Sequence, residues 1–165
     1  MYTGYAAFDG PFVIRYPRGK GEMKDWRNEM QVLPIGKGKK LRDGDDIAVL
    51  SIGPIGNEVI KAIEMVKEEG VSIAHYDMIY LKPLDEELLH EIGQKYNRII
   101  TVENGVIKGG FGSAVLEFMA DNGYTPHVKR IGVPDAFIEH GSIPELYQLC
   151  GMDAESIAKQ LKKEN

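Results

Sequence analysis

Residues 98–116 decide the fold of this chain, and they read RIITVENGVIKGGFGSAVL. The stretch opens with an apolar, β-branched run, which predicts a strand buried on both faces of a parallel sheet, and Glu103 ends that strand. A glycine-rich segment follows, and Ser113 stands where the N-cap of the next helix is expected. Apolar residues then recur at helical spacing. Strand, glycine-rich loop and helix N-terminus together form the local shape that α/β proteins use to bind anions and nucleotides.

The glycines of residues 105–112 do not follow the spacing of a known nucleotide motif. Val115 stands where the dinucleotide fingerprint needs a third glycine or alanine, and the loop lacks the Gly-Lys-Ser/Thr end of a P-loop. Two interpretations stay open. The glycines either bind a ligand directly, or they allow positive φ angles and the close approach of a helix or a neighbouring subunit. We favour the second interpretation.

Composition places the chain among ordinary soluble domains. Its 165 residues are 43% hydrophobic and 27% charged, which predicts a single core with at most a small appendage. The net charge of −5 argues against binding to nucleic acid, and no apolar run is long enough for a membrane span. Cys150 is the single cysteine, which excludes an internal disulfide and fits a reducing cytoplasm. We expect it to be a buried, inert thiol.

The first 31 residues read as part of another domain joined to a linker. Residues 1–8 predict the end of a helix, and residues 12–16 predict a short strand in which Arg15 pairs within a sheet. Arg18 follows directly after Pro17, at the strand edge where open α/β sheets bind ligands. Residues 20–31 show no clear period and are interpreted as a linker.

From residue 32 onward, strand and helix patterns alternate. A basic edge strand ends at Arg42, and further strands are predicted over residues 46–52, 71–76, 99–102 and 127–133, the last at a sheet edge. Helices are predicted over residues 57–69 and after Asp85, the glycine loop, Ser142 and Asp153. The pattern therefore predicts a three-layer α/β/α domain built from right-handed βαβ crossovers.

Few side chains suggest self-contained chemistry. The four histidines, which are His75, His90, His127 and His140, are too scattered to predict a metal site. His140 could carry a proton, or it could hydrogen-bond the loop before the helix at Ser142, which we favour. Ser51 and Ser113 lack the motif of a nucleophilic serine.

A local basic cluster precedes the first strand of this domain and continues into it. It could be a binding patch, but a solvated edge strand explains it more simply. Its members are Lys37, Lys39, Lys40 and Arg42.

Five segments carry a family resemblance, in the family's order and spacing. They are Asp9-Gly-Pro with Arg15-Tyr-Pro-Arg-Gly19, Asp77 with Lys82-Pro-Leu-Asp85, Thr101-Val-Glu103, Gly109-Gly-Phe-Gly-Ser-Ala-Val115, and Pro134-Asp with His140-Gly141. With them the chain resembles the C-terminal part of the 1-deoxy-D-xylulose-5-phosphate synthase family, which are transketolase-type thiamine diphosphate enzymes. The resemblance covers essentially all 165 residues. The alternatives are the same domain from a 2-oxo acid dehydrogenase β subunit or a transketolase, or a free-standing ligand-binding or regulatory module.

The resemblance implies a fold, a reaction and a division into domains. The sheet should be mixed and mostly parallel, with about five strands, the first of them antiparallel. Residues 1–19 should end the middle, pyrimidine-binding domain, and residues 32–165 should form the transketolase C-terminal-like domain. Enzymes of this family condense pyruvate with glyceraldehyde 3-phosphate, with loss of CO₂, in isoprenoid and thiamine biosynthesis.

The resemblance also implies where the cofactor and substrates bind. The family uses thiamine diphosphate and Mg²⁺ and works as a cytoplasmic homodimer, but none of the motifs that hold the cofactor or the metal lies in this chain. We therefore expect no catalytic, cofactor-binding or metal-binding residue here, and no activity from the chain alone. Only Arg18 matches a family position that reaches a substrate, where it binds the phosphate of the aldehyde.

Overall fold

The computed structural model describes residues 1–17 and 27–162 of the chain. The chain divides into two compact units, Met1–Ile35 and Gly36–Asn165. In the first unit a short helix, α1 (Tyr2–Ala6), is followed by irregular chain, and the Thr3 hydroxyl accepts a hydrogen bond from the Leu33 N–H at 3.0 Å. This unit is small, and most of its side chains are exposed.

The strand predicted over residues 12–16 is wrong, because this segment is irregular. A strand is stable only when a neighbouring strand accepts and donates its backbone hydrogen bonds, and the described part of the first unit contains no such neighbour. Arg15 is accordingly exposed and does not pair within a sheet.

The second unit contains a five-stranded mixed sheet in the order β1-β3-β2-β4-β5. Its strands are β1 (Lys39–Arg42), β2 (Ile47–Ile52), β3 (Ile73–Asp77), β4 (Arg98–Val106) and β5 (His127–Val133). β1 is antiparallel to β3, and the other neighbouring pairs are parallel. The predicted mixed sheet, its antiparallel first strand and the edge position of β5 are confirmed.

Helices cover both faces of this sheet, so the predicted three-layer α/β/α architecture is confirmed. They are α2 (Gly56–Met65), α3 (Glu86–Lys95), α4 (Phe111–Asp121), α5 (Ile143–Leu149) and α6 (Ala154–Leu161), with a 3₁₀ turn at Lys67–Glu69. β2 shows why two layers are needed. Its side chains alternate between two apolar clusters, with Val49 packed among residues of α2 and α6 and Leu50 among residues of α3 and α4.

Local capping signals set several helix boundaries as predicted. Asp85 caps α3 by accepting the Leu88 N–H at 3.2 Å, and Asp153 caps α6 by accepting the Ser156 N–H at 3.1 Å. The Ser142–Glu145 capping box begins α5. Ser113, however, is not an N-cap, because α4 begins at Phe111, two residues earlier.

A buried polar pair joins two central strands of the second unit. His75 on β3 is only 1% exposed, and its Nε2 shares a hydrogen bond of 2.8 Å with the Ser51 hydroxyl on β2. Burial lowers the pKa of His75 from its ordinary 6.5 to about 4. The folded chain therefore keeps this imidazole neutral over a range in which the unfolded chain protonates it.

We expect His75 to make the stability of this unit pH-dependent. The contribution is fully present above pH 6.5 and is lost as the pH falls toward 4, because protons then bind preferentially to the unfolded chain. The loss should reach about 3 kcal/mol by pH 4, and His75→Gln should remove it. Urea unfolding followed by circular dichroism from pH 7 to pH 4 measures the difference. His127→Gln, at an exposed edge position, is the control. Parallel pH profiles for wild type and His75→Gln would contradict the assignment.

Candidate functional site at the carboxyl edge of the sheet

The carboxyl edge of the parallel strands is the part of the fold where α/β proteins most often bind ligands. Three polar side chains lie at or near the ends of neighbouring strands here: Ser51 on β2, Asp77 on β3 and Glu103 on β4. Ser51 is already bonded to His75. The other two determine what this edge can bind.

Glu103 occupies the position of an anion at the N-terminus of α4. Its carboxylate accepts the Phe111 N–H at 2.9 Å and the Gly112 N–H at 2.8 Å, and the residue is 5% exposed. Free N–H groups at a helix N-terminus attract negative charge, and here an internal carboxylate supplies it. The anion-binding geometry suggested by the sequence is therefore satisfied within the chain.

The glycines of the loop allow this approach of Glu103. A Cβ atom at Gly110 would lie 2.3 Å from Glu103 Oε2 and 2.4 Å from the Val106 carbonyl oxygen, so no side chain fits. Gly109 has a φ of +70°, which other residues rarely adopt. The positive φ of Gly109 and the close approach at Gly110 agree with the favoured interpretation, but the group that approaches is the Glu103 side chain and not the expected helix or neighbouring subunit.

Ser113 and Arg130 hold the rest of the loop. The Ser113 hydroxyl accepts the Gly109 N–H at 3.0 Å and donates to the Ile107 carbonyl, also at 3.0 Å. Arg130, on β5, donates to that carbonyl at 2.8 Å and to the Ser113 hydroxyl at 2.9 Å. The sequence analysis missed Arg130, because only the pairing of β4 with β5 brings it to the loop.

Asp77 is the second polar residue of this edge, and it too is engaged by its own loop. Its carboxylate accepts the Ile79 N–H at 3.1 Å, and burial raises the pKa of Asp77 above its ordinary value. Ile79 has a φ of +55°, which is strained for a β-branched residue. This bond to Asp77 helps to hold the strained turn.

The basic cluster near β1 forms ion pairs on the surface. Lys37 pairs with Asp85 and Glu87, Lys40 with Asp43 at 2.7 Å, and Arg42 with Glu64 at 2.8 Å. All four residues of β1 are exposed. These contacts support the interpretation as a solvated edge strand rather than a binding patch.

The remaining candidates are not brought together. His140 is exposed and forms no hydrogen bond with the described residues, so the bond expected for it is not made. Cys150 is half-buried, not buried, and lines a cavity beside α5. Within residues 1–17 and 27–162, no three or more His, Cys, Asp or Glu residues are grouped to hold a metal ion. Arg18 and part of the predicted linker lie outside the described residues.

No helix in the described part of the chain is both long and apolar enough to cross a membrane.

The sequence profile of the family described as "Transketolase, C-terminal domain" matches residues 36–157. The chain belongs to this family. It is 99% identical over all 165 residues to the 1-deoxy-D-xylulose-5-phosphate synthase of Parabacteroides distasonis. It is 60% identical to the synthase of Bacteroides thetaiotaomicron, over 99% of the present chain. It covers 26% of each of these synthases, so the chain spans about a quarter of the length of its curated relatives.

Solved structures of similar fold agree with the family. A split-gene transketolase, described as an inactive β4 tetramer, superposes with a TM-score of 0.71 at 31% identity, over 81% of this chain and 45% of that one. Transketolase from Campylobacter jejuni superposes with a TM-score of 0.57 at 13% identity, over 76% of this chain and 18% of that one, which supports the fold alone. The resemblance to the synthase family is thus confirmed, and it is favoured over a dehydrogenase β subunit.

Glu103 caps α4 although it lies eight residues before the helix in the sequence. Its removal should therefore destabilise the second unit. Glu103→Gln keeps one acceptor oxygen but loses the charge and one hydrogen bond, and we expect a loss of about 2–3 kcal/mol in the free energy of unfolding. Glu117→Gln, on the exposed face of the same helix, should change it by less than about 0.5 kcal/mol. Urea unfolding measures both. Equal losses in the two variants would show that Glu103 does not cap α4.

Proposed function

We propose that this chain is the C-terminal part of a 1-deoxy-D-xylulose-5-phosphate synthase, a thiamine diphosphate-dependent transferase. In the proposed reaction pyruvate loses CO₂, and its remaining two carbons join the aldehyde carbon of glyceraldehyde 3-phosphate to give 1-deoxy-D-xylulose 5-phosphate. The identity of 99% to the Parabacteroides distasonis synthase over the whole chain carries the proposal. We also propose that this synthase is located in the cytoplasm and forms a homodimer.

The described residues of this chain do not fit a thiamine diphosphate site. A diphosphate with its metal ion needs free cationic groups or free helix N–H groups together with carboxylate ligands for the metal. At the carboxyl edge, the N–H groups at the start of α4 bind Glu103, and the described residues contain no metal-binding cluster. We propose that the rest of the synthase polypeptide holds the cofactor and Mg²⁺.

The domain boundaries are part of the same proposal. Residues 1–19 are proposed to end the middle domain, residues 20–31 to link the two domains, and residues 32–165 to form the C-terminal domain. Two observations support it: the chain separates into units at Ile35, and the family match begins at residue 36. The boundary proposed at residue 32 lies four residues before that match.

The chain alone should be catalytically inactive. The solved β4 tetramer of a split-gene transketolase, described as inactive, supports this expectation, because this chain covers 45% of that protein. We expect the 165-residue chain with pyruvate, glyceraldehyde 3-phosphate, thiamine diphosphate and Mg²⁺ to form no product above background. The full-length synthase should form 1-deoxy-D-xylulose 5-phosphate, detected by mass spectrometry. Product from the isolated chain would contradict this prediction, and a full-length protein without product would contradict the proposed function.

Arg18 is the residue of this chain that we propose to contact a substrate. A guanidinium can bind a phosphate through two parallel hydrogen bonds, and losing such a contact costs roughly 2–4 kcal/mol. Arg18→Ala in the full-length enzyme should therefore raise the KM for glyceraldehyde 3-phosphate about thirty-fold or more and leave the KM for pyruvate unchanged. Arg18→Lys should recover part of the loss, because an ammonium group lacks the planar fork.

Steady-state kinetics with each substrate varied separately tests this assignment. Arg15→Ala, three residues earlier, is the matched control and should leave both KM values unchanged. If Arg18→Ala lowers thermal stability but leaves the KM for glyceraldehyde 3-phosphate unchanged, Arg18 has only a structural role.

A further inference from the structure

Asparagine is followed by glycine at two places in the sequence, Asn104-Gly105 and Asn122-Gly123. The side-chain carbonyl carbon of an asparagine can be attacked by the backbone nitrogen of the next residue, which closes a succinimide ring. Glycine in that next position favours the attack, because it has no Cβ atom to obstruct the nitrogen and its backbone rotates freely. The two pairs share this local chemistry, so the fold determines which of them reacts.

Asn122-Gly123 lies at the C-terminal end of α4. Both residues are exposed, and a Cβ atom at Gly123 would meet nothing within 4 Å beyond its chain neighbours. The Asn122 side-chain amide donates to the Phe118 carbonyl at 2.9 Å. The Gly123 N–H donates to the Ala120 carbonyl at 3.1 Å. Both bonds belong to the last turn of the helix, and helix ends fray at little cost, so one local opening frees the side chain and the attacking nitrogen together.

Asn104-Gly105 is held much more firmly. Both residues are half-buried and belong to β4, which lies between β2 and β5 in the sheet. The Asn104 side-chain amide donates to the Tyr147 hydroxyl on α5 at 3.3 Å. A Cβ atom at Gly105 would lie 3.0 Å from Glu103 Oε2, so the glycine also adjoins the carboxylate that caps α4. Freeing this pair disturbs the centre of the sheet, which costs far more free energy than opening a helix end.

We propose that Asn122 is a site of spontaneous deamidation in the folded protein and that the sheet protects Asn104. Hydroxide removes the proton of the Gly123 N–H, and the nitrogen forms a bond to the side-chain carbonyl carbon of Asn122. The bond from that carbon to the amide nitrogen breaks, and the amide leaves as ammonia. Water then opens the succinimide at either of its two carbonyl carbons, which gives aspartate or isoaspartate. The balance is one water consumed and one ammonia released, with no oxidation or reduction.

The new carboxylate should weaken the end of α4. A carboxylate cannot donate the hydrogen bond that the Asn122 amide gives to the Phe118 carbonyl. Its negative charge also lies at the negative end of the helix dipole. The change reaches a second helix, because the Tyr124 hydroxyl, two residues further on, shares a hydrogen bond of 3.0 Å with His90 Nδ1 on α3. We therefore expect deamidation to loosen the contact between α4 and α3.

Peptide mapping by mass spectrometry of the full-length synthase, incubated at neutral and mildly alkaline pH, tests the proposal. We expect the mass increase of amide-to-carboxyl conversion to grow about ten-fold or more faster at Asn122 than at Asn104. The rate should rise with pH, because the attacking nitrogen must lose its proton. In urea the two pairs should react at similar rates. Equal rates in the folded protein, no reaction at Asn122 before urea is added, or a difference that persists unchanged in urea would each overturn the proposal.

A substitution tests the consequence for the helix. Asn122→Asp introduces the carboxylate of the product without incubation. Asn57→Asp is the matched control, because it makes the same change in the first turn of α2, where the helix dipole favours a negative charge. Backbone amides of residues 118–124 should exchange hydrogen for deuterium about three-fold or more faster in Asn122→Asp than in the wild type, and at the wild-type rate in Asn57→Asp. Unchanged exchange in Asn122→Asp would overturn the effect on α4.

These readouts do not depend on catalysis. A protein that forms no product but deamidates at Asn122 would overturn only the proposed function. An active synthase whose Asn122 stays intact would overturn only the proposed modification.

Discussion

The contact between Glu103 and the N-terminus of α4 is the constraint on which the second unit depends. It joins Glu103, the sixth of the nine residues of the central strand β4, to the start of a helix eight residues later, through two hydrogen bonds to a buried carboxylate. The glycines between them are needed because a side chain at Gly110 would occupy the space of that carboxylate. The conformation of the loop, the glycines in it and the first turn of α4 therefore depend on one another.

Other polar side chains of the sheet are likewise bonded to groups of the same chain. Ser51 bonds to His75, Asp77 holds the turn at Ile79, and Arg130 bonds to the glycine loop. In each case a polar strand residue bonds to groups of the same chain. These polar groups therefore stabilise the loops and strands of the second unit itself.

Features encoded by neighbouring residues could be predicted from the sequence, and features that depend on distant residues could not. Asp85, Ser142 and Asp153 were predicted as caps, because the signal and the helix lie within a few residues. Ser113 has the same local pattern, but α4 begins earlier because Glu103 supplies acceptors from the preceding strand.

The candidate site follows the same rule. The strand pattern of residues 12–16 needs a partner strand that the described part of the first unit lacks, so the local signal was misleading. Arg130 became part of the loop only through the pairing of β4 and β5, which no short-range pattern reveals. Arg18 was identified from the family resemblance and its place after a predicted strand, and its role stays a prediction.

The magnitudes explain why the glycine loop acts as a scaffold rather than as a phosphate site. The N–H groups of the first three residues of α4 are bonded within the chain: those of residues 111 and 112 to Glu103, and that of residue 113 to the Gly110 carbonyl. A phosphate would have to displace Glu103 and leave a buried carboxylate without its donors. For a charged group such a loss costs more than about 3 kcal/mol, whereas the helix dipole returns at most about 2 kcal/mol to the incoming anion. The exchange is unfavourable, and the carboxylate therefore keeps its place in the loop.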